Sequence, residues 1–587
     1  MAVENNMSEK YALLPAHLSD AGKYSYCTMC AIALHDLYNN EWDRSFTENC
    51  LDKLIIHLEL PKSVKPVMSS LLSGEYTQSW DPCLEVLKKE KAVASNCSAI
   101  LYDFILLAVK EGLRCGTYDA RWRVLVQHLA DNLGIPSDTI EQYEMSVITC
   151  LTRTPGHAEA DTSRGKTSNK FRRYALVGLA GLGGGALIGL TGGLAAPFIG
   201  AGIASLGLGG VVGGGAAMLS TAAGVAVVGS LFGAAGAGLT GYKMHKRVGE
   251  IEEFEFDRLD VEQMDNNNEP PEVPETITRC QQLHISIVIS GWLKDEGADS
   301  YVKPWMCVRA SQEQYYLRYE SKYLLQFGRA IEYILSLAFS IATQEVLKYT
   351  ALSGLLSAIT WPGALLGLAN MIDNPWSVCC GRAAQVGRQL AHVLLAREQG
   401  SRPVTLVGFS IGARVIYYCL AEMAERGNCE GIIQDAILIG APCSGNAEYW
   451  KKFTRVVAGR LVNGYCKNDW LLKFLYRTLS MPSHGVAGLH PIELDDRRMV
   501  NVDLTDIVAG HSEYPDKICL ILRQMKVRVK DGPCGEVKER VPRVQTMDDI
   551  PPTKSVLSPL ALRRTQSDNV LTKLSLEDTS SDDSKPS

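Results

Sequence analysis

The 69 residues from Tyr174 to Tyr242 contain no Asp, Glu, Lys, Arg or His. A stretch that long without charge argues against ordinary water-facing surface, because a soluble fold interleaves charged groups wherever it meets solvent. The whole chain also lacks a strong charge of either sign, with 59 basic against 65 acidic residues and a net of -6 over 587. That balance provides no field to gather phosphate backbones, so nucleic acid is excluded as a partner. Metal-ligand spacing is missing as well. Cys27 and Cys30 form one tight pair in YCTMCA, but no second Cys pair or His pair follows at the interval of a zinc site; no metal and no cofactor is expected. The 17 cysteines are odd in number and follow no framework, and the opening MAVENNMSEKYALL is acidic and polar where a secretory leader is basic and then apolar. The expectation is a cytosol-facing protein with reduced thiols.

A chain of this length exceeds one hydrophobic core and is expected to be multidomain. Residues 1–160 carry apolar residues at three- and four-residue intervals, as in LDKLIIHLEL and ARWRVLVQHLADNLG, and predict an α-helical domain. The charge-free segment 174–242 is long enough for two transmembrane helices, and its small residues allow close helix packing. Lys166, Lys170, Arg172 and Arg173 precede it and Lys243, Lys246 and Arg247 follow it, so the positive-inside tendency places both ends in the cytosol. The reading is a Gly-rich transmembrane helical hairpin, hence a multi-pass protein of an intracellular membrane with its N- and C-terminal domains facing the cytosol and the lipid bilayer as partner. Residues 243–277 read as a short amphipathic helix, KRVGEIEEFEFDRLDVEQM, and a Pro- and Asn-rich linker, with a domain boundary near 275. Residues 531–587 read as a disordered tail. The N-terminal helices and this tail are candidate surfaces for protein partners.

Residues 278–530 alternate short apolar strands with helical stretches, the pattern of a mostly parallel sheet with helices on both faces. The expected strands are LHISIVIS (283–290), PVTLVGF (403–409), DAILIG (435–440), GRLVNGY (459–465) and RMVNVDL (498–504). A second apolar run at 349–372 contains Pro362 and falls between strands, which favours a buried or lid-like helix over a membrane span.

Gly408, Phe409, Ser410, Ile411 and Gly412 match G-x-S-x-G. The pattern alone is weak, but a buried strand precedes it and the helix ARVIYYCLAEMAERG follows it, which is the setting of a nucleophile elbow. Glycines two before and two after the serine leave room for the sharp turn. Asp469, on the loop after GRLVNGY, is the preferred acid over Asp503 and Asp506; His511, in AGHSEY after the last strand, is the preferred base over His484 and His490. The chemistry expected of Ser410, His511 and Asp469 is acyl transfer, with the backbone amides of Ile411 and of Trp292 or Leu293 stabilising the oxyanion.

The Gly-rich segment, the ISGWL strand and loop, GFSIGARVIYYCL, NDWLL and GHSEY together resemble the transmembrane and coiled-coil domain-containing protein 4 family, built on a domain of unknown function with an α/β-hydrolase core. The resemblance spans about residues 170 to 525 and implies a multi-pass membrane protein with a triad of Ser410, Asp469 and His511. The functional expectation is a membrane-tethered serine hydrolase, esterase- or lipase-like, cleaving an ester or thioester derived from lipid. The alternative, from a different class, is a catalytically inactive membrane adaptor that uses the hydrolase fold to bind protein or lipid.

Overall fold

A computed structural model describes residues 14–76, 79–94, 97–152, 251–259, 282–308, 313–346, 369–476 and 485–529. The N-terminal part is helical: α1 (Asp20–Leu37), α2 (Arg44–His57), α3 (Lys65–Leu72), α4 (Trp80–Lys89), α5 (Ser98–Cys115), α6 (Ala120–Leu133) and α7 (Ser137–Thr152). The ends follow from local chemistry. The Ser19 hydroxyl accepts from the Gly22 amide at 3.1 Å to start α1, Asp119 accepts from the Arg121 amide at 2.8 Å to start α6, and Gly134, at φ 68°, ends α6 in the left-handed region. α1 is apolar on most sides, and Tyr26, Met29 and Leu34 centre the helical core. Cys27 and Cys30 are buried there, and burial pushes the Cys27 thiol up to about 12.

The C-terminal part is built on seven strands: β1 (Phe254–Arg258), β2 (Ile285–Ile289), β3 (Gln314–Tyr319), β4 (Val404–Phe409), β5 (Ile433–Ile439), β6 (Leu461–Tyr465) and β7 (Met499–Asp503). Their order is β1-β3-β2-β4-β5-β6-β7; β1 runs antiparallel to β3 and all other pairs are parallel. β2, β4, β5 and β6 are buried along their whole length, as strands covered on both faces must be. The helices are α8 (Ser321–Val346), α9 (Ala369–Leu395), α10 (Ile411–Arg426), α11 (Ala447–Phe453), α12 (Trp470–Leu475) and α13 (Tyr514–Gln524).

The expected fold class requires correction. Among the described residues no helix is long and apolar enough to cross a membrane, and residues 174–242, where the charge pattern places a transmembrane hairpin, lie outside them. The sheet is mixed, and it begins before the expected boundary near 275. FEFDR, read as part of an amphipathic helix, is β1, with Phe254 and Phe256 buried on one face and Glu255 turned to Arg318. Two-residue alternation over so short a stretch is hidden by the acidic residues around it. Residues 349–368 of the second apolar run and the tail 531–587 also lie outside the described residues; the last four residues of that run open α9.

The helical part docks on the amino ends of the parallel strands. The Tyr118 amide donates to Ser401 O at 2.8 Å and the Ala120 amide to Gly431 O at 2.9 Å, just ahead of β4 and β5. Arg498, just ahead of β7, donates to Asp43 at 2.8 Å. Arg123 bridges the two parts, donating to Glu144 at 2.9 Å and to Gln434 of β5 at 2.8 Å. Buried cations of this kind hold a dock in place because an uncompensated partner is costly. Glu144→Ala leaves Arg123 buried beside a neutral amide, and the expected outcome in denaturant unfolding is a loss of about 3–5 kcal/mol; a loss below about 1 kcal/mol would show that Glu144 does not compensate the buried Arg123.

Candidate active site

After β2 the chain moves to β3 on one side and later returns to place β4 on the other, so the strand order reverses between β2 and β4. Ser410 stands at that point. β4 delivers it, α10 starts at the next residue, and its backbone sits at φ 53°, ψ −123°. A non-glycine residue held there costs about 1–3 kcal/mol and persists only where its surroundings enforce it. Three glycines make the turn possible. A Cβ on Gly412 would lie 2.1 Å from Ile289 O, one on Gly408 would lie 2.8 Å from the Gly412 carbonyl carbon, and one on Gly291 would lie 2.4 Å from Phe409 O and 2.6 Å from Ser410 Cβ. All these separations are shorter than atoms tolerate, so the β2 loop, β4 and α10 meet backbone to backbone.

Asp469 follows β6 and opens α12, accepting from the Leu472 amide on Oδ1 at 2.9 Å. His511 follows β7 in the short turn before α13. The structure brings all three side chains together: Ser410 Oγ donates to His511 Nε2 at 2.6 Å, and His511 Nδ1 donates to Asp469 Oδ2 at 2.6 Å. The order of bonds sets the imidazole tautomer, with Nε2 left to accept. Ser410, Asp469 and His511 are 0%, 0% and 1% exposed, so water competes little for these bonds.

Two groups near the imidazole escape sequence reasoning. The Tyr514 hydroxyl, from the start of α13, donates to Asp469 Oδ2 at 3.3 Å. Burial, and then the neighbouring Asp469, push the Tyr514 phenol well above its ordinary value, so it stays a neutral donor. Gly440, at φ 55°, makes room for it, since a Cβ there would lie 2.4 Å from the Tyr514 ring. The Trp292 ring lies nearly parallel to the His511 ring at 5.4 Å and meets Phe409 edge-on at 5.0 Å. The signal available for Tyr514 is an aromatic residue three positions after the candidate base; for Trp292 the sequence indicates only a backbone role.

Among the described residues the amides of Ile411 and Trp292 have no hydrogen-bond partner. Ile411 is the first residue of its helix, where the N–H has no intrahelical acceptor. Of the two candidate amides after β2, that of Leu293 donates to Leu324 O at 3.3 Å. The competing acids lie elsewhere. Asp503 pairs with Lys467 at 2.7 Å and accepts from the Thr505 amide at 3.0 Å; among the described residues Asp506 makes no bond to His511. His490 is exposed, and His484 lies outside the described residues. Among the described residues no group of three His, Cys, Asp or Glu is placed to hold a metal ion.

Burial works to raise the Asp503 carboxyl, but its bonds to Lys467 and Thr505 outweigh it and hold the group down to about 2. A depressed folded value stabilises the fold above the ordinary aspartate value of 3.8, and the gain is lost as the pH falls towards about 2. Thermal melts of Asp503→Asn and the parent are therefore expected to differ near neutral pH and to converge towards about pH 2; a gap independent of pH would contradict this placement of Asp503.

Residues 169–528 match the family described as protein of unknown function, DUF726. The chain is 41% identical over 488 residues to an uncharacterized membrane protein of Caenorhabditis elegans, covering 82% of this chain and 74% of that protein. It is 39% identical over 426 residues to the transmembrane and coiled-coil domain-containing protein STS1 of Oryza sativa subsp. japonica, covering 70% and 61%. It is 32% identical over 488 residues to the probable lipase MIL1 of Saccharomyces cerevisiae, covering 82% of this chain and 43% of that protein. No solved structure matches. The match does not identify the narrower transmembrane and coiled-coil domain-containing protein 4 family. With 360 of its residues inside the family match, counting from 169 to 528, the chain belongs to the DUF726 family.

Proposed function

We propose that the chain is a serine hydrolase that cleaves an ester or thioester of lipid origin, with Ser410 as nucleophile, His511 as base and Asp469 as its orienting acid. The observation that carries this reading is the continuous pair of 2.6 Å bonds from Ser410 Oγ through His511 to Asp469, mounted on a strained serine. In the first half-reaction Ser410 Oγ attacks the acyl carbon while its proton passes to His511 Nε2. The oxygen that becomes an anion meets the amides of Ile411 and Trp292. Collapse breaks the bond to the leaving alcohol or thiol, which takes the proton from His511. Water then gives a proton to His511 and attacks the acyl-serine, releasing the acid and restoring Ser410.

Lipid as the substrate source draws support from the aromatic surroundings of the serine, Trp292, Trp305 and Phe409, and from the name of the yeast relative as a probable lipase. Relatives named as membrane proteins support an association with membranes. The full burial of Ser410 is the observation that favours the second reading, an inactive membrane adaptor that uses the domain for binding. A fluorophosphonate probe on the full chain separates the two. Covalent labelling that disappears in Ser410→Ala is the expected result, and Asp469→Asn is expected to slow ester turnover by about 10⁴ through loss of the imidazole tautomer. Absence of labelling in folded protein, or labelling that survives Ser410→Ala, would move the assignment to the adaptor.

A further inference from the structure

Arg414 lies on the first turn of α10, four residues after the nucleophile, and its amide donates to Ser410 O at 3.1 Å. The side chain turns to the carboxyl edge of the sheet. Nη1 donates to Pro442 O at 2.7 Å, in the loop that leaves β5; Nε donates to Cys380 O of α9 at 3.2 Å; Nη2 donates to the Tyr418 hydroxyl at 3.0 Å. The loop from β5 also borders the serine, because the Ser410 amide donates to Ile439 O at 2.8 Å. The guanidinium is thus fixed by three elements that meet beside the elbow, with its carbon 4.9 Å from the centre of the Tyr418 ring.

Every acceptor is neutral, and among the described residues no carboxylate stands within ion-pair distance of Arg414. Three fully buried arginines are matched with acids: Arg402 with Glu313 at 2.5 Å, Arg123 with Glu144 at 2.9 Å and Arg498 with Asp43 at 2.8 Å. A positive charge taken partly out of water without a counter-charge is costly, and a purely structural clamp onto two carbonyls and a hydroxyl needs no charge. A guanidinium has five N–H donors in a planar fork; three are used here, and among the described residues the other two have no partner. Arg414 as a residue is half-buried.

We propose that Arg414 is an anion-binding group beside the nucleophile, and that the ester this site takes carries a phosphate or carboxylate which the free edge of the guanidinium engages. The proposal rests on the hydrolase reading for its place in a reaction, but the binding itself is independent of turnover. Fork-shaped recognition of an oxyanion is the geometry in which Arg differs from Lys, so the identity of the cation matters along with its charge.

The test uses non-hydrolysable alkyl-ether glycerols of one chain length, bearing a free hydroxyl, a phosphate or a carboxylate, with binding to the full chain followed by tryptophan fluorescence. The parent is expected to prefer the anionic ethers over the neutral one by about 10-fold or more, as charge-assisted hydrogen bonds contribute. Arg414→Gln is expected to abolish the preference and Arg414→Lys to keep part of it, with folding of each variant checked by circular dichroism. The phosphate and carboxylate arms tell which oxyanion the site takes, and inorganic phosphate as competitor tells whether the anion binds without its lipid. Equal binding of neutral and anionic ethers by the parent, or a preference that survives Arg414→Gln, would overturn the inference. Should Ser410 resist the fluorophosphonate while the anion preference holds, the hydrolase reading fails and anion binding stands.

Discussion

The arrangement depends on one close approach. The carboxyl end of β2, the turn after β4 and the start of α10 converge where Gly291, Gly408 and Gly412 leave no side chains in the way, and the space they vacate is the space in which Ser410 holds its unfavourable backbone angles. Were any of the three to carry a Cβ, backbone would have to separate from backbone, and the serine would lose either its position or its strain. The parallel order of β4, β6 and β7 does the rest, because the residues that follow them all emerge at one edge of the sheet, bringing Ser410, Asp469 and His511 within hydrogen-bond reach.

The opposite edge has a different task. Tyr118, Ala120 and Asp43 of the helical part bond to residues ahead of β4, β5 and β7, so the helices cap the amino ends of the strands, away from Ser410, Asp469 and His511. Arg498 ties the two together through Asp43, and Arg123, paired with Glu144 inside the helical part, reaches across to Gln434. Among the described residues Arg414, on the side of the nucleophile, is held without an acid.

Much of this was legible in the sequence where local pattern and tertiary outcome agree. The fully buried strands β2, β4, β5 and β6 read as apolar runs, and α10 ends at Gly427, which takes φ 69°. Asp469 and His511 were identifiable because the loops after successive parallel strands share an edge. β1 was not, because five residues of alternation sit among acids that suggest a helix, and their pairing with β3 is a contact 60 residues away. The bond from the Leu293 amide to Leu324 was not legible, because Leu324 comes from a helix that the spacing of ISGWL does not reveal. Tyr514 and the ring of Trp292 act through the packing around His511, which no short motif encodes. The charge-free segment read as a membrane hairpin lies outside the described residues, among which no helix is long and apolar enough to cross a membrane.

The most direct measurement of the central claim is a crystal structure of the full chain after reaction with a fluorophosphonate. The account predicts phosphorus bonded to Ser410 Oγ, with its unesterified oxygen between the amides of Ile411 and Trp292 and the His511 imidazole still bonded to Asp469. Phosphorus on another residue, or an oxygen directed away from those two amides, would contradict it.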